Sequence, residues 1–124
     1  MIARMILAAV DDMLFRSKIR TVAKQAGVEV AFARTPDETL EQLRAQKPAL
    51  VIFDLNNAKG APIETLAAMK GDPALSGVRT LGFVSHVQTS LIAEAREAGF
   101  DEVMARSAFA GNLAEILRSA DRQA

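Results

Sequence analysis

Four short runs of this chain end on residues that carry chemistry: Asp11 and Asp12 after Met5–Val10, Asp54 after Ala49–Phe53, Ser85 after Val78–Val84 and Arg106 after Glu102–Ala105. Three carboxylates brought to one place repel one another, and their ionised form is favourable only beside a cation. Mg²⁺ suits such a set, because it takes one or two carboxylates, keeps several waters and accepts phosphate oxygens. A carboxylate next to such an ion can attack phosphorus and form an aspartyl phosphate. The Ser85 hydroxyl can then hydrogen-bond one phosphoryl oxygen, and the Arg106 guanidinium can pair with another. The rival reading is plain: acids at strand ends often do no more than cap the turn or helix that follows.

The elements that must gather these residues follow from hydrophobic periodicity. Met5–Val10 and Ala49–Phe53 are almost wholly apolar, as strands buried on both faces are; Val28–Ala33, Val78–Val84 and Glu102–Ala105 read as the other strands. Between Met13 and Ala26 the residues Phe15, Ile19, Val22 and Ala26 recur at helical spacing, and Gly27 is placed to end the helix in a left-handed cap. Thr35, Pro36, Asp37 and Glu38 supply an N-cap, a first-turn proline and two first-turn acids for a helix that buries Leu40 and Leu43. Pro62 opens a third helix, with Ile63, Leu66 and Met69 inward, that breaks near Gly71-Asp72-Pro73. Thr89–Ala98 is the fourth, stopped by Gly99, and about Ala108–Arg122 the fifth, burying Phe109, Leu113, Ile116 and Ala120. Strands alternating with helices imply right-handed crossovers and a parallel sheet covered on both faces. The expected fold is α/β, flavodoxin-like, with five strands in the order 2-1-3-4-5, five helices and one domain over residues 1–124. In that order the carboxyl ends of the first and third strands form the ligand-binding crevice, so Asp11, Asp12, Asp54, Ser85 and Arg106 are expected to face one cleft.

Over essentially its whole length the chain resembles the receiver domain of bacterial two-component response regulators. The matching residues are Val10-Asp11-Asp12, Val51-Ile52-Phe53-Asp54-Leu55, Gly82-Phe83-Val84-Ser85 and the run from Ala98 to Ser107. The resemblance implies Asp54 as phosphoacceptor, Asp11 and Asp12 as the acidic pair with Asp12 favoured as the direct Mg²⁺ ligand, the Asn56 backbone carbonyl as a further ligand, and Ser85 as the switch hydroxyl. It implies a histidine kinase or phosphotransfer protein as donor, a downstream protein effector, and a homodimer face on the fourth helix, fifth strand and fifth helix. Such a protein is a phosphoacceptor switch rather than a turnover enzyme, and a free-standing one signals through protein contacts. The chain departs from the family where Arg106-Ser107 replaces lysine followed by proline, where Asn57-Ala58 replaces methionine-proline, where Pro62 replaces a glycine, and where Val103 stands in place of a frequent aromatic. Without proline a cis bond at Arg106-Ser107 costs about 3 kcal/mol, so that bond is expected to be trans. These departures favour a second reading, a degenerate receiver that docks or dimerises without phosphorylation. Arg106 would then pair permanently with Asp54 and lower its pKa.

Composition narrows the field. Fifteen Lys+Arg balance fifteen Asp+Glu, so no net field draws the chain to nucleic acid or an anionic membrane. The absence of cysteine excludes disulfides and thiolate chemistry and fits a reducing cytoplasm. Arg4 interrupts the N-terminal apolar run and Asp11-Asp12 ends it, which excludes a signal-peptide core or membrane span there. A flavin carrier needs a phosphate-cradling loop after the first strand, and that loop is acidic here. His86 has no orienting acid in sequence and reads as a loop histidine, while Arg16, Lys18, Arg20 and Lys24 make a solvated basic face on the first helix, the face that meets the phosphodonor in receivers.

Overall fold

A computed structural model describes residues 5–85 and 89–122, without the side chains of 121 and 122. Five strands, β1 (Met5–Ala9), β2 (Glu29–Phe32), β3 (Leu50–Asp54), β4 (Arg79–Val84) and β5 (Glu102–Ala105), pair in parallel in the order β2-β1-β3-β4-β5. This is the expected doubly wound sheet. Alternation along each strand divides the core into two layers. Ile6, Ala8, Ile52, Leu81 and Phe83 face α1 (Met13–Ala26) and the C-terminal helices, whereas Leu7, Val51, Phe53 and Val84 face α2 (Pro36–Gln46), α3 (Pro62–Lys70) and α4 (Thr89–Ala98). Complete burial of each such side chain contributes about 1.5–3 kcal/mol. β1 and β3 are therefore buried over most of their length, which is why their sequences run apolar without alternation.

The start and stop signals act as expected at α1 and α2. Asp12 Oδ1 accepts the Phe15 N–H at 3.0 Å, and Gly27 ends α1 at φ 73°. Thr35 Oγ1 accepts the Glu38 N–H at 3.1 Å with Pro36 in the first turn. Three features differ from the sequence expectation. A 3₁₀ turn, Ala58–Gly60, precedes α3, and Ala61 then adopts φ 40°, a left-handed conformation held directly before Pro62. The last helix is interrupted: a short α5 (Arg106–Gly111) precedes α6 (Leu113–Arg122), so the described residues hold the five expected longer helices and this 6-residue addition. The break falls at Asn112, whose Nδ2 donates to the Ala108 carbonyl at 2.9 Å and competes with the helical ladder. Beyond the break Leu117, not Ile116, is the fully buried residue, with Ile116 only partly covered.

Two packing details fix the cleft end of the sheet. Leu55, just past Asp54, donates its N–H to the Phe83 carbonyl at 2.9 Å and lays its side chain where Gly82 has no Cβ. On the opposite face Phe15, Phe83 and Phe109 pack together; Phe83 and Phe109 stack with centroids 4.8 Å apart, and Phe15 leans on both.

Candidate functional site

The parallel topology delivers Asp12, Asp54, Ser85 and Arg106 to the carboxyl edge of the sheet. Asp54 is the last residue of β3, paired in register with Phe83, and is half-buried. Its Oδ1 accepts the Asn56 N–H at 3.0 Å. Burial pushes the Asp54 carboxyl above its ordinary pKa; the Asn56 N–H and the Arg106 charge pull it back, and the neighbouring Asp12 charge adds to the rise. Asp12 and Asp54 thus lie within one another's field.

Asp11 and Asp12 have separate engagements. Asp12 caps α1 through the Phe15 N–H, the bland role foreseen for it, while Asp11 Oδ1 lies 3.6 Å from Arg34 Nε in a half-exposed ion pair. Such a pair is worth about 0–1 kcal/mol and holds Asp11 loosely. Among the described residues no three acidic or histidine side chains stand close enough together to hold a metal ion by themselves. Asp12 and Asp54, close enough for the charge of one to act on the other, are a pair that fits Mg²⁺, which needs only one or two carboxylates and fills its octahedron with water and phosphate oxygens.

Asn56 has a second role that its position in sequence did not announce. Its Oδ1 accepts the Ser85 N–H at 2.6 Å, tying the loop after β3 to the end of β4. One residue therefore holds the Asp54 carboxylate through its backbone and the Ser85 backbone through its side chain. Asn56 was expected only as a carbonyl donor; an amide two residues after a strand-end acid, opposite a neighbouring strand end, is the signal for such a tie. His86 lies outside the described residues.

Arg106 is the largest departure from expectation. With serine rather than proline at 107, the loop after β5 vanishes and α5 begins on Arg106 itself; no peptide bond among the described residues is cis. Its guanidinium lies over the Phe15 ring, 4.6 Å from Cζ to centroid, and makes no ion pair with Asp54. The permanent Arg106–Asp54 bridge is thus not formed, and the Asp54 pKa is raised rather than lowered. A groove of about 380 Å³, lined by Phe15, Val84, Ser85, Arg106 and Ala110 among others, runs beside the guanidinium toward Ser85.

Comparison with known proteins places this geometry. The fold is shared with a response regulator from Hahella chejuensis (18% identity, 95% of each chain, TM-score 0.86). It is shared with the phosphorylated cyanobacterial phytochrome response regulator RcpA (22% identity, 95% of this chain and 91% of that one, TM-score 0.80) and with the Mn²⁺-bound response regulator Rcp1 (18% identity, 94% and 90%, TM-score 0.73). A search of curated proteins returned no match. The family model described as response regulator receiver domain matches residues 6–118, so the chain belongs to the receiver domains of two-component response regulators.

Proposed function

We infer that this receiver domain accepts a phosphoryl group on Asp54. The observation that carries the reading is the state of that carboxylate: half-buried at the switch point of the sheet, raised in basicity, held by one backbone N–H and free of the Arg106 ion pair. A carboxylate in that condition is a competent nucleophile. One of its oxygens attacks the phosphorus of a phospho-imidazole on a histidine kinase or phosphotransfer protein; the O–P bond forms, the P–N bond breaks with its electron pair going to the imidazole nitrogen, and the imidazole leaves neutral after taking one proton from water. Asp12, Asp54 and the Asn56 carbonyl would hold Mg²⁺, with Asp11 at their edge, and the ion would offset the charge gathered there. Ser85, whose N–H is held by Asn56, would donate its hydroxyl to a phosphoryl oxygen, and Arg106, whose charge acts on Asp54, would pair with another. Two fold relatives are consistent in kind, one phosphorylated and one Mn²⁺-bound.

Output in this reading is a protein contact with a downstream effector, with the face of α4, β5 and the C-terminal helices α5 and α6 proposed for homodimerisation. No described helix is long and apolar enough to cross a membrane, and the reading assigns the domain to the cytoplasm, where its donor's kinase domain and its effector would meet it. A second reading has its own observation: Arg106 rests on Phe15 and Asp11 on Arg34, an arrangement that a phosphorylation-independent docking module would also show. Intact mass after incubation with acetyl phosphate and Mg²⁺ decides. A phosphoryl adduct on the wild type that requires metal and is absent from Asp54→Asn supports the acceptor; no adduct, with partner binding unchanged by Asp54→Asn, supports the docking module.

A further inference from the structure

The Phe15 side chain stands between the acidic and the basic halves of the site. Its N–H donates to Asp12 Oδ1 at 3.0 Å, and the face of its ring carries the Arg106 guanidinium at 4.6 Å. The ring is only 5% exposed and is fixed from behind by Phe83 at 5.0 Å and Phe109 at 5.6 Å. It therefore offers Arg106 a platform that cannot swing away. We propose that Phe15 is a positioning residue for Arg106: its ring holds the guanidinium off the Asp54 carboxylate and so keeps the acceptor oxygen unpaired.

The relative strengths support this assignment. A cation–π contact on a desolvated ring favours the parked position by about threefold to thirtyfold, whereas a partly solvated single ion pair rarely exceeds about fivefold. On these magnitudes the ring matches or outweighs a lone carboxylate, and the structure shows the guanidinium on the ring. A phosphoryl group, with up to twice the charge and three acceptor oxygens, is the kind of partner that reverses the balance, and the groove beside Arg106 leaves the guanidinium room to turn toward Ser85. Lysine, a compact and strongly hydrated charge, would stack far less well, so the replacement of the family lysine by Arg106 and the presence of Phe15 beneath it explain one another.

The inference rests on the reading of Asp54 as acceptor, yet it is tested without phosphorylation. In the full chain in metal-free buffer, the ring current of Phe15 should displace the Arg106 Hδ and Nε–H NMR signals upfield. A graded fluorophenylalanine series at position 15 keeps the packing shape while weakening the ring's negative face, and the displacement should fall stepwise along it. In Phe15→Leu it should vanish, and the Nε–H signal should move downfield as that of a carboxylate-bonded guanidinium, a shift that Asp54→Asn abolishes. Acetyl phosphate labelling of Phe15→Leu should be about threefold or more slower than that of the wild type. An Arg106 signal with no upfield displacement in the wild type, a displacement that ignores fluorination, or a freed Arg106 whose signal ignores Asp54→Asn overturns the proposal. If no form of the protein is labelled, the acceptor reading falls, while the Arg106 signals still decide whether Phe15 positions it.

Discussion

Adding one methyl group at Gly82 tests the packing that holds Asp54 in place. A Cβ there would lie 2.8 Å from Leu55 Cδ1 and 2.9 Å from both Cδ2 and Cγ. Since Cγ is among the colliding atoms, rotation of the terminal methyls does not clear the clash, and Leu55 is 5% exposed with its N–H bonded to Phe83, so it cannot step aside. Overpacking of this kind costs about 1–3 kcal/mol. The φ of Gly82 is not in the left-handed region, so alanine there recovers about 0.5–1 kcal/mol by restricting the unfolded chain. Gly82→Ala should therefore destabilise by about 1–2 kcal/mol net, while Leu55→Ala should cost about 2–4 kcal/mol. In the Leu55→Ala background the clash is gone and only the gain remains, so Gly82→Ala there should be neutral or stabilising by up to about 1 kcal/mol. The sign of one substitution reverses with its neighbour, a coupling of about 2 kcal/mol. The chain has no Trp or Tyr, so urea unfolding is best followed by far-UV circular dichroism, where a change of that size moves the midpoint by about 1 M. An equal cost of Gly82→Ala in both backgrounds would refute the argument.

Burial raises the Asp54 pKa above its unfolded value, so the folded state binds that proton more tightly and the associated stability, full in acid, is lost as pH rises through the folded pKa. Asp54→Asn in EDTA should therefore be more stable than wild type at pH ~7, with the gap closing at pH ~3; equal urea midpoints at both values would count against it. Asn56→Ala keeps its own N–H for Asp54 but removes the 2.6 Å acceptor of the Ser85 N–H. It should cost about 1 kcal/mol and speed hydrogen exchange at the Ser85 amide selectively, and an unchanged Ser85 exchange rate would show that the tie does not hold in solution. Ala61→Gly relieves a left-handed alanine placed directly before proline, and thermal unfolding should register a gain of about 0.5–1 kcal/mol; a loss would mean that the φ of 40° is not strained.

The parts of this protein legible in its sequence are those that depend on period and position. Continuous apolar runs at Met5–Val10 and Ala49–Phe53 imply strands buried on both faces, helical spacing between them implies crossovers, and the topology then delivers Asp12, Asp54, Ser85 and Arg106 to one edge without any knowledge of their side-chain contacts. What stayed hidden depends on direction. The spacing of Phe15, Ile19, Val22 and Ala26 marks an inward stripe, but burial does not say which ring face is left for a cation, so Phe15 reads as core alone although it also carries Arg106. The replacement of proline by Ser107 is visible in sequence, and its consequence for the peptide bond is predictable. Its consequence for the side chain is not, because that depends on α5 starting one residue after β5 and so lifting the guanidinium onto α1 rather than into the cleft. The same limit explains Asn112, where a polar side chain rebonds to Ala108 and turns one periodic stripe into two helices, and Asn56, whose amide reaches across to another strand. In each case the residue type states what bonds are possible, and only the packed neighbours decide which is made. Arg106 is where that choice bears on the proposed function: a cation whose charge acts on Asp54 rests on an aromatic ring, and that carboxylate keeps the Asn56 N–H without an Arg106 ion pair.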